Sequence, residues 1–153
     1  MTTNSAALPL VTVFADGAAK GNGTAGARGG WGFRAEFASG DVVEHFGGEK
    51  PSTNNRMELM AVIESLAKLP TAHQVAMFTD SQYVVKGMNE WVAGWKRRGW
   101  KTSTGEAVKN RELWEQLDRL AAQHRVTWNW VRGHNGHPGN ERADVLANMG
   151  VPA

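Results

Sequence analysis

The chain has 153 residues, 41% of them apolar and 21% charged, with a formal charge of +2 at pH 7; this is the size and balance of one ordinary globular domain. It contains no cysteine, which excludes disulfides and zinc–thiolate sites. No stretch approaches the roughly 20 apolar residues that a membrane span needs, and Met1 to Pro9 lacks the basic and long apolar regions of a signal peptide, so a cytoplasmic protein without a membrane partner is expected.

Residues 1–8 are small and polar and read as a disordered extension, leaving 9–153 as a single domain. Residues 10–16 read as a buried strand. A glycine-rich loop, Gly17 to Gly30, leads to two more strands, Arg28 to Phe37 and Val42 to Gly47, joined by the turn-rich Ala38-Ser39-Gly40-Asp41. Asn54 to Leu69 reads as a helix that Thr53 or Asn54 caps and Pro70 ends. Residues 74–80 form a fourth strand. Helical segments follow over Ser81 to Met88 and Asn89 to Arg98, broken near Gly87, then a loop from Lys101 to Lys109. Asn110 to Gln123 is an amphipathic helix with Leu113, Leu117 and Leu120 on one face. Arg125 to Val131 alternates as a half-buried strand, and the loop Gly133 to Gly139 leads to a short last helix from Asn140. Three consecutive strands, then strands alternating with helices, indicate an α/β chain with a mixed sheet covered by helices.

Charge is unevenly spread. Lys86 to Arg111 holds seven basic side chains against two acids, so the remainder is net acidic. A basic region and an acidic region on one small domain suit a polyanionic substrate and a metal site.

Four acids stand out. Asp16 and Asp80 each end one of the two most apolar runs, where ligand sites form in open α/β sheets. Their plain alternatives are a turn residue in Asp16-Gly17 and a helix cap in Asp80-Ser81. Glu58 lies among Met57, Leu59 and Met60 near the buried side of its helix; its alternative is a capping-box partner three residues after Asn55. Asp144 has the alternative of a first-turn acid favoured by the helix dipole. A set of hard oxygen ligands favours Mg²⁺ or Mn²⁺.

His134, on a glycine-rich loop with His137, suits proton transfer better than zinc, which would need more soft or imidazole ligands nearby; the bland alternative is a solvated histidine. Trp91, Trp95 and Trp100 interleave with Lys96, Arg97, Arg98 and Lys101. Core packing explains tryptophans one turn apart, but the cations match a surface with exposed indoles that grips a phosphate backbone.

These residues together resemble the bacterial ribonuclease HI family. The resemblance runs from about Val11 to Ala147. It is carried by Thr53-Asn54-Asn55-Arg56-Met57-Glu58-Leu59, Thr79-Asp80-Ser81-Gln82-Tyr83-Val84, Trp95-Lys96-Arg97-Arg98-Gly99-Trp100-Lys101, Gly133-His134-Asn135-Gly136-His137-Pro138 and Asn140-Glu141-Arg142-Ala143-Asp144. It implies a ribonuclease H-like fold, a five-stranded mixed sheet with its first three strands antiparallel, flanked by helices. It implies a metal-dependent endonuclease that cuts the RNA strand of RNA–DNA hybrids to 5′-phosphate and 3′-hydroxyl ends; a monomer is expected separately, because no apolar patch stands out in the sequence. One or two Mg²⁺ ions, with Mn²⁺ as substitute, would sit on Asp16, Glu58, Asp80 and Asp144, and His134 would assist proton transfer or product release. Asn54, Asn55 and Gln82 would read the minor groove of the hybrid. Thr53 and Asn110 would hold a DNA-strand phosphate, with Asn22 a further contact. The Trp91 to Lys101 segment would handle the DNA strand. The loop Lys20 to Gly30 departs from the family in lacking its usual proline. Two other classes remain open: a non-catalytic hybrid-binding module, which would normally lack one of the four acids, and a DNA-cutting nuclease of the same architecture, against which the Asn54, Asn55 and Gln82 amides argue.

Overall fold

The computed structural model describes residues 8–133 and 135–153. Residues 1–7, within the extension read as disordered, and His134 lie outside the described residues. Five strands, β1 (Leu10–Lys20), β2 (Arg28–Phe37), β3 (Val42–Glu49), β4 (Gln74–Thr79) and β5 (Arg125–Trp130), form one sheet in the order β3-β2-β1-β4-β5. β2 runs antiparallel to both β1 and β3, and β4 is parallel to both β1 and β5. The helices are α1 (Asn54–Ala67), α2 (Gln82–Lys86), α3 (Val92–Arg97), α4 (Arg111–Ala121) and α5 (Pro138–Gly150). None is long and apolar enough to cross a membrane.

Glycines in β2 set the layers. A Cβ on Gly29 would collide with Met57 of α1, and one on Gly30 with the Ala147 carbonyl of α5. Successive strand residues point to opposite faces, so α1 and α5 cover opposite sides of the sheet. The α1 side holds the core, where Val13, Phe33, Leu59, Val62, Ile63, Leu66, Val75, Met77, Trp114 and Leu117 are buried together.

Three expectations need correction. The segment Gly17 to Gly30 is not all loop: Gly17 to Lys20 pair with Trp31 to Arg28, so the connection is only residues 21–27. These glycines keep their ladder bonds while letting helices approach. The helix after β4 does not break at Gly87; a π-helical turn, Gly87–Trp91, joins α2 to α3. Gly87 is there because the Trp114 indole fills the space a side chain would need. The last helix starts two residues early, at Pro138, where a fixed φ suits the first helical position and His137 Nδ1 accepts from the Asn140 amide at 3.3 Å.

Across the α5 face, Glu44 of β3 accepts from Arg142 at 2.8 Å and from Arg34 at 2.9 Å. The Arg142 hydrogen bond, with help from Arg34, holds the Glu44 carboxyl down at about 2. A lowered carboxyl contributes stability in full above its unfolded value near 4.5 and loses it as pH falls towards 2. Glu44→Gln is therefore expected to destabilise the protein at pH 6, and urea unfolding at stepped pH should show that deficit shrinking below pH 4.5 and vanishing near pH 2.

Candidate active site

Asp16 lies within β1, two residues past the end of the β1–β4 ladder at Phe14 and Phe78. It still pairs with Gly32 of β2, so Asp16-Gly17 is continuous strand rather than a turn. Asp80 is the first residue after β4. The cap of α2 is the neighbouring Ser81, whose Oγ accepts from the Val84 amide at 3.1 Å, which leaves the Asp80 carboxylate free of capping. Glu58 sits in the second turn of α1. Thr53 is the cap there, so the reciprocal capping-box position falls on Arg56 and Glu58 has no such role.

Backbone proximity brings these acids together. A Cβ on Gly17 would lie 2.5 Å from the Glu58 amide nitrogen. Only glycine lets α1 approach β1 this closely. Asp16, Glu58 and Asp80 each present one oxygen, and the three lie within 4.8 Å of one another. Asp144 is half-buried on α5, seven residues into the helix and beyond the first turn, so the dipole alternative does not apply. Its carboxyl adjoins Asp16 closely enough to influence its ionisation.

Asp16 and Glu58 are only 3% and 7% exposed. Burial is the main cause that drives the Asp16 carboxyl up to about 10, reinforced by the charges of Asp80 and Glu58. Burial likewise lifts Glu58 to about 7, with Asp80 adding to it while the Ser81 hydroxyl and Asn54 amide pull the other way. Glu58 Oε1 accepts from Asn54 Nδ2 at 3.2 Å, whereas Oε2 is buried without a partner among the described residues. Repulsion between carboxylates at this separation is about 3 kcal/mol per pair at an effective dielectric near 20. A buried acid oxygen without a donor among the described residues, inside a cluster of acids, is the arrangement a hard cation satisfies.

A groove of amides adjoins the acids. Asn54, Asn55 and Gln82 line a cavity of about 330 Å³ together with Glu58, Asp80 and Trp130. Next to it, Asn22, Thr53, Asn54, Asn55, Lys109 and Asn110 enclose about 470 Å³. Asn22 Oδ1 accepts from the Asn54 amide at 3.1 Å, which ties the 21–27 loop to the start of α1. Asn110 adopts a left-handed φ of 58° and donates from Nδ2 to the Tyr83 hydroxyl at 3.3 Å.

Further along, Trp91, Trp95, Arg97 and Arg98 border a cavity of about 460 Å³. The indoles are half-buried rather than exposed as expected. Trp91 and Trp95 lie 5.8 Å apart, and Trp95 meets Trp100 at 6.4 Å and Trp114, edge to face, at 5.3 Å. The tryptophans therefore root this segment in the core and leave the cations outside. Of these cations, Lys96 is held by Asp118 at 3.0 Å and Arg98 Nε donates to the Lys101 carbonyl at 3.2 Å, while Arg97 and Lys101 are exposed.

Four residues at the site escape a sequence reading. Gly133 is one, since a Cβ there would lie 2.5 Å from Asp80 Oδ2. Tyr83 is another: its hydroxyl accepts from Trp114 Nε1 at 3.0 Å as well as from Asn110. Lys109 joins the amide cavity, and Trp130 donates to the Asp80 carbonyl at 3.0 Å. No local spacing announces contacts that only the folded chain makes.

Comparison with known proteins agrees with this geometry. Residues 9–151 match the RNase H family model. The chain is 59% identical over 141 residues to a ribonuclease H of Cupriavidus metallidurans, covering 92% of this chain and 94% of that protein. It is 57% identical to a ribonuclease HI of Pseudomonas putida, covering 92% and 93% respectively. The crystal structure of LC9-RNase H1, a type 1 RNase H with the type 2 active-site motif, superposes with a TM-score of 0.82 at 41% identity, covering 93% of this chain and 72% of that one. The chain belongs to the ribonuclease H family.

Proposed function

We propose that this protein hydrolyses the RNA strand of RNA–DNA hybrids, with divalent cations, Mg²⁺ in the first place, held by Asp16, Glu58, Asp80 and Asp144. The observation that carries the reading is the convergence of three buried or half-buried carboxylates within 4.8 Å, one of their oxygens without a partner among the described residues, beside a groove lined by amides. When bound, such ions activate a water and stabilise the leaving oxygen of a phosphodiester. The protein's own part is positioning. Asp16 lies against the other acids and would be the ligand shared between ions. Asn54, Asn55 and Gln82 can donate and accept at once, which suits a ribose 2′-hydroxyl and the minor-groove edges that distinguish RNA. Thr53, Asn110 and Asn22 hold a DNA-strand phosphate in the adjoining cavity. Arg97, Arg98 and Lys101 attract the DNA backbone, with Trp91, Trp95, Lys96 and Trp100 shaping that ridge. His134 assists proton transfer or product release; its neighbour Gly133 packs against Asp80. Cleavage breaks the bond from phosphorus to the 3′ oxygen and leaves a 5′-phosphate and a 3′-hydroxyl.

A labelled hybrid incubated with and without Mg²⁺ tests the activity, with duplex DNA as the control that should remain uncut. Asp16→Asn and Asp80→Asn proteins should bind the hybrid with near-normal affinity yet lose more than the roughly 10–100-fold in cleavage that outer-shell changes cost; gel-shift and turnover measurements separate the two effects.

Ionisation of the cluster sets a second expectation. A raised acid contributes stability in full below its unfolded value, 3.8 for Asp16, and loses it as pH rises towards about 10. In EDTA at pH 8, Asp16→Asn should therefore melt higher than the parent, by on the order of 5 °C, with the gap closing near pH 4. Mn²⁺ should raise the melting temperature of the parent far more than that of the variant.

Hybrid affinity should fall linearly with log salt. Replacing Arg97 and Lys101 by glutamine should reduce that slope by about 2, as fluorescence anisotropy over a salt series would show.

A further inference from the structure

The β4–β5 ladder ends at Thr79 and Trp130, and the Val131 amide caps it by donating to the Thr79 carbonyl at 2.9 Å. Asp80 is the first residue past that point, so its backbone has left the sheet where its side chain is most needed. Its carboxylate lies against the carboxyls of Asp16 and Glu58, which offer it no donor once all three are ionised around a cation. The direction in which Asp80 presents its oxygens therefore depends on what holds its main chain. Ser81, the next residue, is anchored from one side, its amide donating to Thr79 Oγ1 at 3.1 Å. On the other side the Trp130 indole reaches across the strand end, and Nε1 donates to the Asp80 carbonyl at 3.0 Å.

Trp130 is an uneconomical residue for packing alone. Trp128 and Val126, two and four positions earlier on the same face of β5, pack against the core, whereas Trp130 is 44% exposed. Its ring is committed to the wall of the cavity that also contains Glu58, Asp80 and Gln82. A large, half-exposed indole whose polar atom bonds the backbone of a candidate ligand behaves as an outer-shell partner, which orients a ligand without touching the ion.

We infer that Trp130 is a positioning residue for the cation site: its indole N–H fixes the Asp80 main chain and so pre-sets the Asp80 carboxylate for the divalent ion. The inference rests on the proposed reading of the acids as cation ligands. A residue placed this way tunes cation affinity, and its loss is compensated by raising the cation concentration.

The test uses the full chain free of substrate. Mn²⁺ is titrated by calorimetry into the parent, into Trp130→Phe, and into a protein carrying 3-benzothienylalanine at position 130, which keeps the bicyclic shape but has no N–H. Both variants should bind Mn²⁺ about tenfold more weakly. Their melting temperatures in EDTA should stay within about 2 °C of the parent. In turnover assays the Mg²⁺ concentration for half-maximal rate should rise similarly, while the rate at saturating Mg²⁺ and the KM for hybrid return towards parental values. Affinity within twofold of the parent in both variants overturns the inference. So does weakening in the phenylalanine protein alone, because shape rather than the hydrogen bond would then be responsible. A parent that binds no Mn²⁺ overturns the cation site itself, whereas a parent that binds while the variants bind equally well overturns only the role of Trp130.

Discussion

Like charge confined in a dry space is the constraint on which the rest of the molecule depends. Asp16, Glu58 and Asp80 converge within 4.8 Å, and at about 3 kcal/mol per pair their full ionisation would cost an amount comparable to the whole stability of a typical domain, about 5–15 kcal/mol. The fold meets this in two ways. Without a cation, burial keeps protons on Asp16 well above the usual carboxylate range. The convergence itself is enforced by backbone: Gly17 lets α1 press onto β1, and Gly133 leaves just enough room beside Asp80. The side chains are brought together by elements whose backbones already pack at close approach.

That rigidity comes from the opposite end of the design. Core side chains from β1, β2, β4, α1 and α4 interlock beneath the site. Trp114 reaches from α4 to fill the space left by Gly87, and its indole nitrogen donates to Tyr83, which also receives Asn110 from the amide cavity. One buried tryptophan thus ties the packing of the core to the outline of the groove. Close packing of this kind transmits position because it cannot be compressed.

Some of this was legible along the chain. The apolar runs ending in Asp16 and Asp80, the helix from Asn54 and the strand from Arg125 follow from local periodicity and from breakers such as Pro70. The strand order could be expected only through the family resemblance, since pairing is a long-range event. Where local reasoning failed, a tertiary contact had overridden it. The glycines of Gly17 to Gly30 look like loop residues by composition, yet Gly17, Gly29 and Gly30 lie against helices within a continuous ladder. Gly87 looks like a break, yet it is the notch for Trp114.

Composition and spacing, which survive in the unfolded chain, already mark the segments that bury apolar surface, the acids in unfavourable apolar surroundings and the cluster of cations between Lys86 and Arg111. Folding is what turns Glu58 towards Asp16 rather than to the cap of its own helix, roots the tryptophans of the basic segment in the core, and brings Trp130 to the Asp80 carbonyl. The reason is physical: ionisation, close approach and hydrogen-bond partnership depend on distances between residues far apart along the chain, and those distances exist only once the sheet has closed its ladders.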